Sequence, residues 1–327
     1  MRVGVVGVGV AGKSHLFDLV SDDRFAVVTV CASRRDTAEH AAHTFGVTHA
    51  HDDPDALLVG GRLDGIVLAT PPAVTPVLLR RALDAGLAVL VEKPGAGSAA
   101  DLRAVVQGAP AAQRVAVAYN RRYQRHVHEA RRLVAAGALG PPNEVGCRWR
   151  APFRERYSGG DTFRPRVPWG HGVVLDTACH VLDTLLFLGL GPLTVSAARL
   201  VRGATDADVE AHFDLIGRDG VRITTHIDEG PHEDWVLALR GPLGTMTITR
   251  SQLVTTRDGH TERVEQDDLA RPVDDLLRLG TGRPPRGATA TEATSCLSVV
   301  DAVRRVAVRR PWSRPRAKAL GRLNGAC

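Results

Sequence analysis

The chain begins Met1-Arg-Val-Gly-Val-Val-Gly7-Val-Gly9-Val10-Ala11-Gly12, an apolar run that breaks on three glycines spaced G-x-G-x-x-G. An amphipathic stretch over residues 13–20 follows, so the order is strand, tight turn, helix. Such a turn suits a dinucleotide: Gly7 permits the sharp reversal, Gly9 removes a Cβ so that backbone can approach a pyrophosphate, and Gly12 lets the helix lie close to the strand. Phosphates would rest where the helix starts, near Val10 and Ala11, because unpaired N–H groups and the macrodipole favour negative charge there. The glycine spacing alone also occurs in ordinary loops. Its flanks are what make it informative.

Up to about residue 120 the pattern alternates short apolar strands (3–6, 26–32, 65–69, 88–91 and 115–118) with helices (37–45, 55–59, 75–85 and 99–106). That is the pattern of a parallel, doubly wound α/β sheet. After Asn120 the texture changes. A helix over 128–136 leads to alternating segments at 144–150, 194–200, 209–216, 221–228, 235–240 and 244–249, which read as antiparallel strands. Helices are expected at 173–188 and 291–307, and no internal repeat is visible. The expected organisation is a Rossmann domain over 1–120, a substrate-binding and oligomerisation domain over 121–310, and an Arg/Pro-rich tail over 311–327.

A length of 327 residues allows two domains with a sizeable core, and 44% hydrophobic with 24% charged residues is ordinary for a globular enzyme. There is no 18-residue apolar run and no charged and apolar leader before the first strand, so a cytoplasmic location without membrane association is expected. Five scattered cysteines without C-x-x-C spacing fit reduced thiols. The net charge of +6 lacks the clustering and aromatic interleaving of a nucleic-acid binder, and an anionic cofactor and substrate explain it more simply.

Only Lys13, Lys93 and Lys318 are lysines among the 42 basic residues; the other 39 are arginines. Arginine does not give up a proton near neutral pH, so a retained lysine merits attention. Lys93 follows a strand at the carboxyl edge of the sheet, the side where ligands bind in open α/β folds. An ammonium there can polarise a carbonyl and donate to its oxygen, and partial burial is expected to draw its pKa toward neutrality. Asp176 and His180 are four apart, on one face of the expected helix, with Asp183 continuing the stripe. A histidine titrating near physiological pH can relay a proton that the carboxylate orients. Cys179 and His180 are adjacent and diverge on a helix, so no metal is expected.

The second expected strand ends Ala32-Ser33-Arg34-Arg35, where this fold usually presents a carboxylate to the ribose 2′-hydroxyl. A serine hydroxyl and guanidinium groups suit a 2′-phosphate instead, which favours NADP(H) over NAD(H). The alternative is that both arginines are solvated and Asp36 serves the ribose.

Through Gly-Val-Gly-Val-Ala-Gly-Lys-Ser-His15, Ala-Thr70-Pro71-Pro72, Glu92-Lys93-Pro94, Tyr119-Asn120-Arg121-Arg122 and Asp176-Thr-Ala-Cys-His180-Val-Leu-Asp183, the chain resembles the Gfo/Idh/MocA oxidoreductases. The resemblance runs from residue 1 to about 310. It implies a Rossmann domain followed by an α/β domain on a large, open, mostly antiparallel sheet. It also implies Lys93, Asp176 and His180 as catalytic and substrate-contacting groups, with Thr70, Pro71, Glu92, Lys93 and Asn120 beside the cofactor and Arg122 near the substrate. An open apolar sheet face left bare would aggregate, so a homodimer or homotetramer is expected. Two positions depart from the family: Ala73-Val74-Thr75 stands where relatives carry a histidine, and Ala178 replaces the glycine within D-x-G-x-H.

Arg148, Arg150, Arg154, Arg156, Arg164 and Arg166 precede the Asp176 helix, interspersed with aromatics including Trp169. Arg164 and Trp169 are candidate substrate contacts, and arginines with aromatics suit an anionic substrate such as a nucleotide-linked keto-sugar. Solvated strand and loop charges are an equal alternative. The expected activity is hydride transfer between nicotinamide and a carbinol or keto carbon of a sugar, nucleotide-sugar or cyclitol. A C=N reductase of the same family and a non-catalytic dinucleotide-binding regulator are the alternatives.

Overall fold

The computed structural model describes residues 1–60, 62–108, 110–158, 172–203 and 207–311. The first sheet is built from β1 (Arg2–Val6), β2 (Ala26–Cys31), β3 (His49–His51), β4 (Gly65–Leu68), β5 (Ala88–Glu92) and β6 (Val115–Ala118), all parallel, in the order β6-β5-β4-β1-β2-β3. Chain direction across the sheet reverses between β4 and β1, the switch point where open α/β sheets bind ligands. Helices α1 (Val10–Val20), α2 (Arg35–Phe45), α3 (Pro54–Gly60), α4 (Thr75–Asp84) and α5 (Ala99–Val106) make the crossovers. β1 and β4 are almost wholly apolar because both of their faces are covered. Val3, Val5, Leu16, Leu19 and Val30 are all fully buried in one such layer.

The second sheet has nine strands. They are β7 (Glu144–Ala151), β8 (Thr194–Arg202), β9 (Asp208–Ile216), β10 (Arg222–Glu229), β11 (Asp234–Gly241), β12 (Gly244–Thr249), β13 (Gln252–Arg257), β14 (His260–Glu265) and, after the last helix, β16 (Val308–Pro311). The order is β14-β13-β12-β11-β7-β10-β9-β8-β16, with every pairing antiparallel except β7 with β10 and β8 with β16. Helices α6 (Arg125–Ala135), α7 (Phe153–Ser158) and α8 (Cys179–Phe187) belong to this half of the chain.

The chain then returns to the first sheet. Helix α9 (Asp274–Gly280) packs against it, and β15 (Ala288–Thr289) adds to its edge antiparallel to β6, pairing Ala288 with Val117. The fully buried Asp275 ties this return in place by accepting hydrogen bonds from Tyr123 Oη at 2.8 Å, Arg286 N at 2.8 Å and Gly287 N at 2.9 Å. Helix α10 (Ala290–Val306) packs against α5, α8 and β8, and its Leu297 and Val300 are fully buried. A reciprocal cap starts it: Thr289 Oγ1 accepts from Glu292 N, and Glu292 Oε2 accepts from Thr289 N.

Three expectations need correction. Residues after 121 do not all belong to the second sheet, because α9 and β15 complete the first; pairing across a sheet edge leaves no local pattern to read. The expected helix over 173–188 is not uniform. It opens with a wider, π-type turn over Val174–Ala178, and regular α-helix starts only at Cys179. The sheet face turned away from the core is polar, not apolar: Arg148, His212, Asp214, Thr224, His226 and Asp228 lie on it, alternating with buried Cys147, Phe213, Thr225 and Ile227. The tail beyond Pro311 lies outside the described residues. Among those described, no helix is long and apolar enough to cross a membrane.

Candidate active site

The glycine turn has the geometry its spacing implies. Gly7 has φ +91°, and a Cβ there would sit 2.2 Å from the Ala69 carbonyl oxygen at the end of β4. A Cβ on Gly12 would lie 1.9 Å from the Gly7 carbonyl oxygen, so α1 packs directly onto the turn. Around Gly9 there is open space: a Cβ would meet nothing within 4 Å. Gly9 caps α1 without a side-chain hydrogen bond, and the first turn carries no acidic residue. The first N–H groups of α1, including those of Val10 and Ala11, are thus left for an anion. A dinucleotide pyrophosphate fits this cradle.

The other candidate cofactor residues line the same edge. Ser33 and Arg34 follow β2, Thr70 and Pro71 follow β4, Glu92 ends β5, Lys93 comes next, and Asn120 follows β6. Arg34 is exposed, and its guanidinium bonds only locally, to Thr37 Oγ1 at 3.1 and 3.2 Å and to Asp36 at 3.4 Å. Arg35 turns instead to Glu39, 2.7 Å away one helical turn on. Buried His15 donates from Nε2 to Glu92 Oε1 at 2.7 Å, fixing the carboxylate beside the cradle. The sequence reading assigned His15 no role, although it stands within the glycine motif.

Lys93 meets the second half of the chain. Its Nζ donates to Asp176 Oδ1 at 2.6 Å and to the Asp176 carbonyl oxygen at 2.9 Å, within the wide turn before α8. Tyr157, from α7, donates to the other carboxylate oxygen, Oδ2, at 3.0 Å. Asp176 is therefore held between a lysine on the first sheet and a tyrosine on the second half. Tyr157 is fully buried and was not foreseen as a site residue, because nothing in the spacing ties residue 157 to 176. Burial works against the Lys93 charge, but Asp176 outweighs it and holds the ammonium above the ordinary lysine value. The expected depression toward neutrality does not occur.

His180 lies on α8 with its ring centroid 5.9 Å from that of Trp149 and 6.2 Å, edge-on, from that of Tyr119. Burial, reinforced by the cations of Lys93 and Arg121, pushes its pKa well below the ordinary imidazole range. The ring is neutral near pH 7, not poised to titrate there, and its Nδ1 is buried without a partner.

Arg122 does not join this group. Its guanidinium is 3% exposed and grips Asp183 with three hydrogen bonds of 2.8–3.1 Å, while its remaining nitrogen donates to Glu292 at 2.7 Å. Arg122 and Asp183 thus connect the turn after β6 to α8 and α10. The neighbouring Arg121, which was not singled out, is sandwiched between Trp149 and Trp235, 4.5 and 4.3 Å from their rings. Burial lowers its pKa to about 10, so it stays charged, and its Nη1 is buried without a partner.

The arginine-rich segment disperses. Arg148 and Arg150 lie on the outer sheet face, Arg154 pairs with Glu210, and Arg156 donates to Glu233 at 2.9 Å. Arg164, Arg166 and Trp169 lie outside the described residues.

Chemically, the Lys93–Asp176 pair offers a charged donor at the mouth of a dinucleotide cradle, with a neutral imidazole beside it. The cofactor, when bound, supplies or accepts the hydride. What the chain itself presents there is a proton held at Lys93 Nζ by Asp176.

Comparison with known proteins agrees with this architecture. The family described as "Oxidoreductase family, NAD-binding Rossmann fold" matches residues 1–120, and the GFO/IDH/MocA C-terminal domain matches residues 127–246. Inositol 2-dehydrogenase 1 of Saccharopolyspora erythraea is 28% identical over 273 residues, covering 81% of this chain and 78% of that protein. Inositol 2-dehydrogenase 4 of the same organism is 30% identical over 210 residues, but the match spans only 59% of its length. The rhizopine catabolism protein MocA of Rhizobium meliloti is 24% identical, over 92% of this chain and 93% of its own. Among solved structures, the 3-ketoreductase KijD10 from Actinomadura kijaniata, in complex with NADP and TDP-benzene, shares the fold with a TM-score of 0.83 at 21% identity, over 96% of this chain and 99% of its own. With a Rossmann cradle, a lysine–aspartate pair joining the end of β5 to the turn before α8 and both family domains in sequence order, this chain belongs to the GFO/IDH/MocA family of oxidoreductases.

Proposed function

We propose that this protein is an NADP(H)-dependent oxidoreductase that moves a hydride between nicotinamide and a carbinol or keto carbon of a sugar, nucleotide-sugar or cyclitol. In this reading Lys93, Asp176 and His180 are the catalytic groups, and Gly7, Gly9, Val10, Ala11, Gly12, Ser33, Arg34, Thr70, Pro71, Glu92 and Asn120 hold the cofactor. The observation that carries it is the Lys93 ammonium, 2.6 Å from Asp176 and held in its charged form. A charged ammonium donates to a carbonyl oxygen as that oxygen gains negative charge, so the site is best suited to ketone reduction. The neutral His180 is the better proton acceptor for the reverse reaction. The names of the relatives support the sugar and cyclitol class. Exposed Arg34, at the end of β2, supports the 2′-phosphate preference. Arg121, buried and unpaired at Nη1, supports an anionic or strongly polar substrate in place of the dispersed arginines.

A homodimer or homotetramer is part of this proposal, through polar surface complementarity; light scattering checks it. So is a cytoplasmic location, with which the buried free thiols of Cys31, Cys147, Cys179 and Cys296 agree.

The decisive measurement follows NADPH absorbance with free and nucleotide-linked keto-sugars, and NADP⁺ reduction with cyclitols, with NADH and NAD⁺ in parallel. Turnover in one of these classes, faster with the phosphorylated cofactor, is expected. Fluorescence-detected NADPH binding without turnover of any of them overturns the proposal.

A further inference from the structure

On the outer face of the second sheet, His212 of β9 and His226 of β10 stand directly opposite each other in the antiparallel register, their ring centroids 4.6 Å apart. Asp228, two residues along β10 from His226, projects to the same face, and His212 Nε2 donates to its Oδ1 at 2.5 Å. One donor atom from each of the three lies within 4.8 Å of the others. We propose that His212, His226 and Asp228 form a site for a divalent transition-metal ion of the zinc class, separate from the oxidoreductase centre.

The donor set is chemically apt. Two neutral imidazoles and one carboxylate are borderline ligands that zinc takes at about 2.0–2.2 Å, which places tetrahedral donors roughly 3.3 Å from one another. The present spacing brackets that value, so side-chain rotation suffices. The backbone positions are already pinned, because all three residues sit on two hydrogen-bonded strands. Binding through His212 Nε2 requires its proton to be on Nδ1, a tautomeric change that leaves the imidazole neutral. The metal then replaces the hydrogen bond between His212 and Asp228.

The rest of the face decides what the fourth ligand is. Arg199 on β8 lies opposite His212, and on β7 Arg148 lies opposite His226 and Arg150 opposite Asp228. Glu210, on the same face of β9, is already paired with Arg154. Three guanidinium groups around the triad disfavour a bare dication and favour one that carries an anionic oxygen ligand. Space for such a ligand adjoins His226: a shallow groove of about 390 Å³ is lined by Gly146, Cys147, Arg148, Thr224 and Val236, and the missing side chain of Gly146 keeps it open. The sequence hides this site, since His212 stands on one strand, 14 positions before His226 on the next, and the three match no metal-binding spacing.

The test is titration of chelator-treated protein with zinc alone against a chromophoric competitor, on the full chain and on His226→Gln and Asp228→Asn. One zinc per chain is expected, weakened at least about tenfold in either variant, with thermal midpoints in chelator and oxidoreductase turnover unchanged by both substitutions. A zinc-induced rise in thermal midpoint should appear in the unsubstituted chain alone. Equal zinc affinity and stoichiometry in all three proteins, or no zinc bound by the unsubstituted chain, overturns the proposal. Cobalt provides a second readout: loss of its tetrahedral absorption in His226→Gln supports the site, and an unchanged spectrum counts against it.

Discussion

Lys93 Nζ lies 2.6 Å from Asp176 Oδ1, joining the end of β5 in the first sheet to the wide helical turn that precedes α8 in the second half of the chain. This contact crosses 83 residues of sequence and ties the edge of the first sheet to the second half of the chain. Both side chains are largely shielded, at 18% and 14% exposure, so their attraction is less screened than that of a surface pair. Wide turns of this kind recur at functional sites.

Replacing Lys93 by alanine removes the only lysine in this cluster among the described residues. Turnover should fall by about 10²–10⁴, the range for loss of a general acid, while NADPH still binds by fluorescence titration. Near-normal turnover would show that another group supplies the proton.

Asp176→Asn keeps the shape and removes the charge that offsets burial of the ammonium. The Lys93 pKa should then fall, and the alkaline limb of the pH–rate profile for ketone reduction should move to lower pH. A limb that stays in place while the rate drops would assign Asp176 to substrate positioning alone.

Burial of neutral His180 makes a statement about acid stability. Its folded-state pKa lies below the unfolded value of about 6.5, so below that pH the unfolded chain binds a proton that the folded chain refuses. Stability should be level above about pH 6.5 and decline as pH falls below it. Buried His126, whose pKa burial also lowers, adds to the same trend. Thermal midpoints measured from about pH 5 to 7.5 should show a shallower slope in His180→Gln; an identical slope would show that His180 is protonated in the folded protein.

Arg34→Ala should weaken NADPH more than NADH, by about tenfold or more if the guanidinium holds a phosphate through charge-assisted hydrogen bonds of about 1.5–3 kcal/mol. Parallel Kd measurements with the two cofactors decide this. Equal losses would leave the ribose to Asp36.

Arg122→Met should leave the Asp183 carboxyl buried without its partner, and should destabilise the protein by about 3–5 kcal/mol, read from urea midpoints. Combining Arg122→Met with Asp183→Leu, so that both charges are gone, should recover much of that loss. Substrate KM in the surviving enzyme should change little, in contrast to a residue that touches substrate.

Local chemistry was legible wherever neighbouring residues carry it. The glycine turn reads directly from spacing because Gly7 and Gly12 answer to contacts within one strand–turn–helix unit and the strand beside it. Apolar runs exposed the central strands of the first sheet, and alternation exposed those of the second except β13, which is paired on both sides yet was not expected. Edge strands did not show: β14 reads His-Thr-Glu-Arg-Val-Glu, and a strand with a solvated side has little need of apolar alternation. β15, two residues long, has no pattern at all and exists because the edge of β6 is available to pair.

The sequence by itself determined the alternating order of the first domain's main elements, the glycine turn and the chemical types at the site, because those depend on neighbours within a few residues. Only the tertiary structure decided protonation and partnership. Burial set against Asp176 keeps Lys93 charged, burial beside two cations keeps His180 neutral, Asp183 and Glu292 hold Arg122, and Arg121 stands between two tryptophans. Each of these outcomes is a balance of desolvation and charge among groups distant in sequence, and that balance exists only once the chain has brought them together.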